Sequence, residues 1–194
     1  MKKTIVIVIV ALIIVAVTFG GAYNGLVNKQ EQVSQAWGQV QAVYQRRLDL
    51  IPNLVATVKG YAKHEQDTFI AVTKARAAAS QTLNAGAPGN PAQFKKFTAS
   101  QAALGSALSR LMVVVERYPN LKANENFLAL QNQLEGTENR IAVARERFND
   151  AVKMYNIAIR QLPGNFVAKI FGGFSVKSYF KAAQQAANAP KVQF

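Results

Sequence analysis

The chain has 194 residues, half of them hydrophobic, and a net charge of +13 from 23 Lys and Arg against 10 Asp and Glu. This length allows one ordinary globular domain with a sizeable core, and the positive charge follows no basic stripe, so nucleic acid is not the expected partner. The chain has no Cys, which excludes a disulfide framework, a thiol nucleophile and thiolate metal sites.

The first predicted element is an apolar segment, uncharged from Thr4 to Ala22. A helix of this length, at about 1.5 Å per residue, crosses the roughly 30 Å hydrocarbon layer of a membrane. It predicts a single-pass transmembrane anchor over residues 1–22. The competing interpretation is a cleaved signal peptide, whose apolar core is usually only about 7 to 15 residues long. Lys2 and Lys3 precede the segment, so the positive-inside rule predicts a cytoplasmic N-terminus and a helical domain on the other side.

Residues 23–162 show apolar side chains at helical spacing, with Leu26, Val33 and Val40 in the first predicted helix. A second helix follows Pro52. A proline inside a helix loses a hydrogen bond and clashes with the preceding turn, whereas Asp49 can cap a new helix that begins there. We therefore predict a break at this proline. The alternative is one kinked helix.

The third and fourth helices have clear limits in the sequence. Asn90 and Pro91 suit the start of the third helix, which ends before Pro119. Asn124 can cap the fourth helix, which runs to Leu162. Its apolar face follows a seven-residue repeat, formed by Phe127, Leu134, Ile141, Phe148, Tyr155 and Leu162.

These elements predict an all-α fold, in which the transmembrane helix is followed by an antiparallel up-and-down four-helix bundle of long helices with coiled-coil-like packing. The alternative fold has three long helices with a kink at Pro52. In the preferred topology, the turns near Pro52 and Pro119 lie far from the membrane. The loop at residues 84–90 and the tail, residues 163–194, return towards it.

Several motifs, in a fixed order along most of the chain, resemble the LemA family. They are Tyr23-Asn24-x-Leu26-Val27, Ala36-Trp37, Arg46-Arg47-x-Asp49-Leu50-Ile51-Pro52-Asn53-Leu54-Val55, Val58-Lys59-Gly60-Tyr61-Ala62-x-His64-Glu65, Glu116-Arg117-Tyr118-Pro119-Asn120-Leu121, Glu138-Asn139-Arg140-Ile141, Asn149, Tyr155-Asn156 and Pro190-Lys191-Val192-x-Phe194. The resemblance implies a single-pass bacterial membrane protein with a long-helix bundle and no established enzymatic activity. The expected location is the bacterial cytoplasmic (inner) membrane, with the bundle periplasmic or extracellular.

Polar side chains from two predicted turns form the first candidate site, at the end of the bundle far from the membrane. They are Arg46, Arg47, Asp49, Asn53, Glu116, Arg117, Tyr118 and Asn120. Guanidinium groups present planar pairs of donors that suit a carboxylate or phosphate on a protein partner. The alternative role is structural, as an ion-paired cap that holds two hairpins in register.

The tail combines aromatic and basic residues that suit the headgroup layer of a membrane. The candidate contact residues for a membrane or a neighbouring subunit are Phe166, Phe171, Phe174, Lys177, Tyr179 and Phe180. The alternative is that these aromatic side chains cover the open end of their own bundle.

No residue set supports catalysis, a metal or a cofactor. His64 is the one His in the chain, and the serines have no base at a motif spacing. We therefore expect a non-enzymatic scaffold or interaction protein that binds an envelope protein and the lipid bilayer. Small residues along the helices allow homo-oligomer formation. The alternative function is a membrane-surface module that senses or shapes lipid through its tail.

Overall fold

A computed structural model describes residues 1–85 and 88–181 of the protein. Its regular elements are the helices α1 (Lys2–Tyr61), α2 (Gln66–Ala85), α3 (Pro91–Val115), α4 (Pro119–Lys122), α5 (Glu125–Ala158) and α6 (Gly164–Phe171). The predicted all-α fold with a long apolar helix at its N-terminus is confirmed. Part of the predicted loop at residues 84–90, and the end of the tail with the motif at residues 190–194, lie outside the described residues.

The predicted break at Pro52 is wrong, because α1 continues through this proline to Tyr61. Proline cannot donate a backbone hydrogen bond to the carbonyl four residues earlier, which is that of Leu48. In the structure this carbonyl instead accepts a hydrogen bond of 2.8 Å from Nε of Arg76 in α2. Ile51 and Leu54, on either side of the proline, are buried in the core. A replacement hydrogen bond and buried neighbours therefore keep the helix continuous.

The first reversal of the chain instead occurs at residues 62–65, between α1 and α2. The three-helix alternative is therefore wrong as well, because α1 and α2 are separate helices. The predicted starts of α3 and α5 agree with the structure, whereas α3 ends at Val115 and α5 at Ala158, a few residues earlier than predicted. The Asn90 side chain caps α3 with 3.1 Å bonds from the backbone N–H groups of Ala92 and Gln93, and Asn124 caps α5.

Helices α1, α2, α3 and α5 share one apolar core, an arrangement consistent with the predicted bundle. The closest associations are α1 with α5 and α2 with α3. Trp37 of α1 lies at the centre of an aromatic cluster with Phe97 of α3 and Phe148 of α5, at ring-centroid distances of 5.2 and 5.5 Å. Such contacts across three helices hold the two helix pairs together.

The N-terminal part of α1 projects beyond this core. Its large apolar side chains from Ile5 to Val17 are exposed, and its most apolar stretch has a mean hydropathy of 3.0. The only other described helix with the length and composition of a membrane span is α3. However, 39% of the most apolar stretch of α3 is buried inside the protein. An exposed apolar helix at the start of the chain is consistent with a membrane protein, whereas α3 packs in the core.

Candidate functional site

The predicted polar cluster is split between two places on the bundle. At the end where α1 meets α2, Oε1 of Glu65 lies 2.9 Å from a guanidinium nitrogen of Arg117 and accepts a 3.4 Å hydrogen bond from the Tyr118 hydroxyl. Glu116 pairs with Lys122 at 2.6 Å, and Asn120 is exposed. The contacts of Glu65 join the two turns, which is the structural role considered for the cluster, whereas the Glu116–Lys122 pair lies within one turn.

Arg46, Arg47, Asp49 and Asn53 lie elsewhere, two to four turns before the C-terminal end of α1, because this helix does not end at Pro52. From Asn53 to Tyr61 is eight residues, or about 12 Å along a helix. The prediction that all eight residues meet at one end is therefore wrong. Arg46, Asp49 and Asn53 are exposed on α1, and Asp49 accepts a 2.7 Å hydrogen bond from Gln45.

Arg47 differs from its neighbours because its side chain is only 8% exposed. Its Nε lies 2.8 Å from Oε1 of Glu138 on α5, but the N–H is not directed at this oxygen. The contact is therefore an ion pair without hydrogen-bond geometry. On the other side, a β-carbon at Gly105 would lie 3.3 Å from the guanidinium. Arg47 thus connects α1 with α5 inside the bundle and is not available to a partner.

Tyr44, one turn before Arg47, is also enclosed in the bundle. Burial raises the pKa of its hydroxyl, and the positive charges of Arg145 and Arg47 partly oppose this shift. Tyr44 is therefore neutral at physiological pH, as its position in an aromatic core requires.

An open groove between α1 and α5 contains the exposed polar residues that could meet a partner. Its volume is about 510 Å³. Its lining residues are Gln39, Ala42, Val43, Asn139, Arg140, Val143, Ala144 and Arg147. Arg46, Asp49 and Asn53 extend the same side of α1 beyond the groove, because they follow Ala42 at helical spacings of three and four residues. We call this surface the α1–α5 groove.

The groove combines an apolar floor with two positive charges. Val143 is 45% exposed, while Arg140 and Arg147 are seven residues apart on α5 and exposed. Small and apolar side chains allow a helix to approach closely, and the guanidinium groups can bind carboxylates along it. No group of three or more potential metal ligands occurs among the described residues.

The groove is not predicted by the sequence, although the motif Glu138-Asn139-Arg140-Ile141 includes two of its lining residues. The missing information was which side of the α1–α5 pair remains open. Heptad spacing identifies the buried seam of a helix, but it does not show which outer surface a third helix covers.

The tail binds its own bundle through two asparagines of α5. The Asn156 carboxamide donates to the Lys177 carbonyl and accepts from the Lys177 N–H, both at 2.9 Å. Asn149, one heptad earlier, makes the same pair of 2.9 Å bonds with Phe180. Each asparagine side chain therefore forms hydrogen bonds with both the N–H and the carbonyl of one residue in an extended segment of the tail. The sequence motifs contained both asparagines, and two amides beside an apolar seam were the signal for this role.

Phe180 occupies a pocket of the bundle between these two asparagines and the aromatic core. It is only 6% exposed, with its ring centroid 4.9 Å from that of Phe94, and the Arg145 guanidinium carbon lies 4.8 Å above its ring. The Lys177 ammonium lies 5.0 Å from the centroid of the Tyr155 ring, and burial lowers its pKa. For these two tail residues, the alternative of covering their own bundle is the one that the structure supports.

Two other candidate residues of the tail lie beside α1 at the end of its apolar segment. The rings of Phe171 and Phe174 pack on Tyr23, at centroid distances of 5.2 and 5.7 Å. Phe166, Phe171 and Tyr179 remain exposed. The tail is therefore divided into an enclosed part, which belongs to the bundle, and an exposed part beside the apolar helix.

Comparison with known proteins gives one family match and several relatives. The model of the LemA family matches residues 36–194. The chain is 28% identical, over 176 residues, to "Magnetosome protein MamQ 1" of Paramagnetospirillum magneticum, covering 82% of this chain and 64% of that protein. It is 29% identical to the MamQ protein of Magnetospirillum gryphiswaldense, covering 81% of this chain and 64% of the relative. "Protein LemA" of Metamycoplasma hominis is 23% identical, with 84% and 71% covered. The chain thus spans under two thirds of the length of the MamQ proteins.

Proposed function

Because the chain belongs to the LemA family, we propose that it is a membrane-anchored helical scaffold of the bacterial cell envelope, which binds a protein partner in the α1–α5 groove. The observation that carries this proposal is the continuity of α1, which contains both the apolar segment and one wall of the groove. A protein held in the groove would therefore be rigidly connected to the membrane.

The length of α1 sets the height of the groove. Gln39 is 16 residues beyond Tyr23 and Asn53 is 30 residues beyond it, which correspond to about 24 and 45 Å along a helix. A partner in the groove would thus lie well clear of the lipid headgroups. The basic residues Lys2 and Lys3 favour a cytoplasmic N-terminus. The groove would then be on the outer side of the cytoplasmic membrane.

The partner segment that fits the groove is an amphipathic helix with acidic residues. Its apolar side would cover Val43 and Val143, and its carboxylates would meet Arg140 and Arg147. Charged groups at an interface guide association and select the partner, while the covered apolar area contributes to affinity. A second copy of the chain is another possible occupant, which would make the scaffold a homo-oligomer. In either case the protein works by binding.

Reversal of the two groove charges is expected to abolish partner capture without unfolding the protein. We would introduce a photo-crosslinking residue in place of Gln39 in the full-length chain, and identify the captured protein in cells by mass spectrometry. Arg140→Glu with Arg147→Glu should reduce capture at least tenfold, equivalent to about 1.4 kcal/mol. Both side chains are exposed, so the unfolding midpoint should stay nearly unchanged.

The matched control is Lys96→Glu with Arg110→Glu, which makes the same change in net charge on exposed residues of α3. This control should capture the partner as well as the unchanged protein does. If the captured protein is the chain itself, the scaffold self-assembles. Equal capture by both double variants would contradict binding in the groove.

A further inference from the structure

Helix α6 carries an exposed apolar surface that the proposed protein-binding groove does not explain. Its buried side consists of Gly164 and Val167. The outward residues, which we call the α6 apolar face, are Leu162 just before the helix and Phe166 and Ile170 within it, with exposed fractions of 71, 52 and 65%. Large apolar side chains grouped on one side of a short helix are typical of a surface that contacts another apolar phase.

The position of α6 indicates which apolar surroundings its exposed side chains contact. At its N-terminus, a β-carbon on Gly164 would lie 3.6 Å from Cδ2 of Leu26, and at its C-terminus Phe171 packs on Tyr23. Phe19 and Ala22 of α1 are also partly buried against the core. Helix α6 therefore packs beside the end of the apolar segment of α1.

The end of this apolar segment corresponds to the edge of the hydrocarbon layer. From Thr4 to Ala22 there are 19 residues without a charge, or about 28 Å of helix, which is close to the roughly 30 Å thickness of the layer. When this segment spans a bilayer, α6 lies where the acyl chains meet the headgroups.

The charges near α6 suit the same location. Between residues 151 and 181 the chain contains Lys and Arg but no Asp or Glu. Arg160 and Lys169 are exposed next to the α6 apolar face. Phosphate groups of anionic lipids attract such cations close to a membrane surface. Apolar and basic side chains are thus combined as in helices that lie in the membrane interface.

We propose that the α6 apolar face inserts into the boundary between headgroups and acyl chains of the same bilayer that α1 spans. The ligand of this surface is lipid, and the contact is separate from the α1–α5 groove. It provides a second attachment point at the base of the bundle. A single helix can rotate and tilt in a membrane, whereas two contacts fix the direction in which the groove faces.

Nitroxide labels on single cysteines can test this insertion, because the natural chain has no Cys. The full-length protein would be reconstituted into vesicles of phosphatidylcholine and phosphatidylglycerol, with Phe166→Cys or Ile170→Cys. The control is Val113→Cys, at an apolar residue that is 68% exposed near the opposite end of the bundle. Collision rates with oxygen, which concentrates in lipid, and with a water-soluble nickel chelate would be measured by electron paramagnetic resonance.

At positions 166 and 170 we expect a gain in collisions with oxygen and a loss of collisions with the nickel chelate, relative to position 113. If both reagents collide as they do at position 113, the surface is in water and the proposal is overturned. If both reagents are excluded, the surface is covered by protein, which overturns it equally. Neither result depends on partner capture in the groove.

Discussion

Replacement of Gly164 by Ala is expected to destabilise the helical domain by about 3 kcal/mol, at the upper end of the usual cost of overpacking. The added methyl group would overlap the backbone carbonyl oxygen of Ala158. Neither group is at the end of a flexible side chain, so the start of α6 has to move. That movement would withdraw Val167, which is fully buried, and separate α6 from Leu26. Denaturant unfolding of the full-length protein in detergent, followed by circular dichroism, would measure the change.

The control for this substitution is Gly38→Ala in α1. A β-carbon at Gly38 has no other atom within 4 Å, and Ala is more favourable than Gly in a helix by about 1 kcal/mol. Gly38→Ala should therefore stabilise the protein while Gly164→Ala destabilises it. Equal midpoints for the two variants would show that α6 is not tightly packed at Gly164.

Replacement of Asn156 by Ala is expected to cost about 2 to 3 kcal/mol. Asn156 is 3% exposed, and its loss would leave the partly buried N–H and carbonyl groups of Lys177 without their partner. An unsatisfied buried polar group costs about 1 to 3 kcal/mol. The extended tail segment should then leave the bundle more often. Trypsin cleavage after Lys177 would report this release, and denaturant unfolding would report the loss of stability.

Asn132→Ala provides the comparison, because Asn132 is an exposed residue of the same helix. It should leave the cleavage rate unchanged and, because Ala is more favourable than Asn in a helix by up to about 0.7 kcal/mol, it should not lower the unfolding midpoint. Should Asn156→Ala resist trypsin as well as the unchanged protein does, the bonds between Asn156 and Lys177 would not be what holds this part of the tail.

The sequence predicted the helical class and the starts of α3 and α5, because seven-residue spacing and helix caps are local properties. The sequence-based prediction was wrong at Pro52, because the continuation of the helix through this proline depends on a distant residue. The carbonyl that this proline leaves free is bound by Arg76, 28 residues later. A proline predicts a break when its lost hydrogen bond has no replacement, and the chain near Pro52 gives no sign of one.

Prediction of the candidate sites from the sequence was limited for the same reason, because their positions depend on contacts between distant residues. Because the break at Pro52 was misplaced, Arg46 and Arg47 were assigned to the end of the bundle, whereas they lie on its long side. The composition of the tail favoured both a membrane contact and a bundle contact. The structure separates these by residue, since Phe180 is buried while Phe166 is exposed. Composition describes a segment as a whole, but burial depends on which of its residues meets a pocket.

We infer that one unbroken helix, α1, holds the binding groove at a fixed height above the membrane. Its most direct test is the distance between spin labels on Asn24→Cys and Lys59→Cys, two exposed residues of α1, measured by double electron–electron resonance in nanodiscs. They are 35 residues apart, so a continuous helix predicts a narrow distribution near 52 Å, at about 1.5 Å per residue. A broad distribution centred well below this value would show that α1 bends between the membrane and the groove, and would contradict the account.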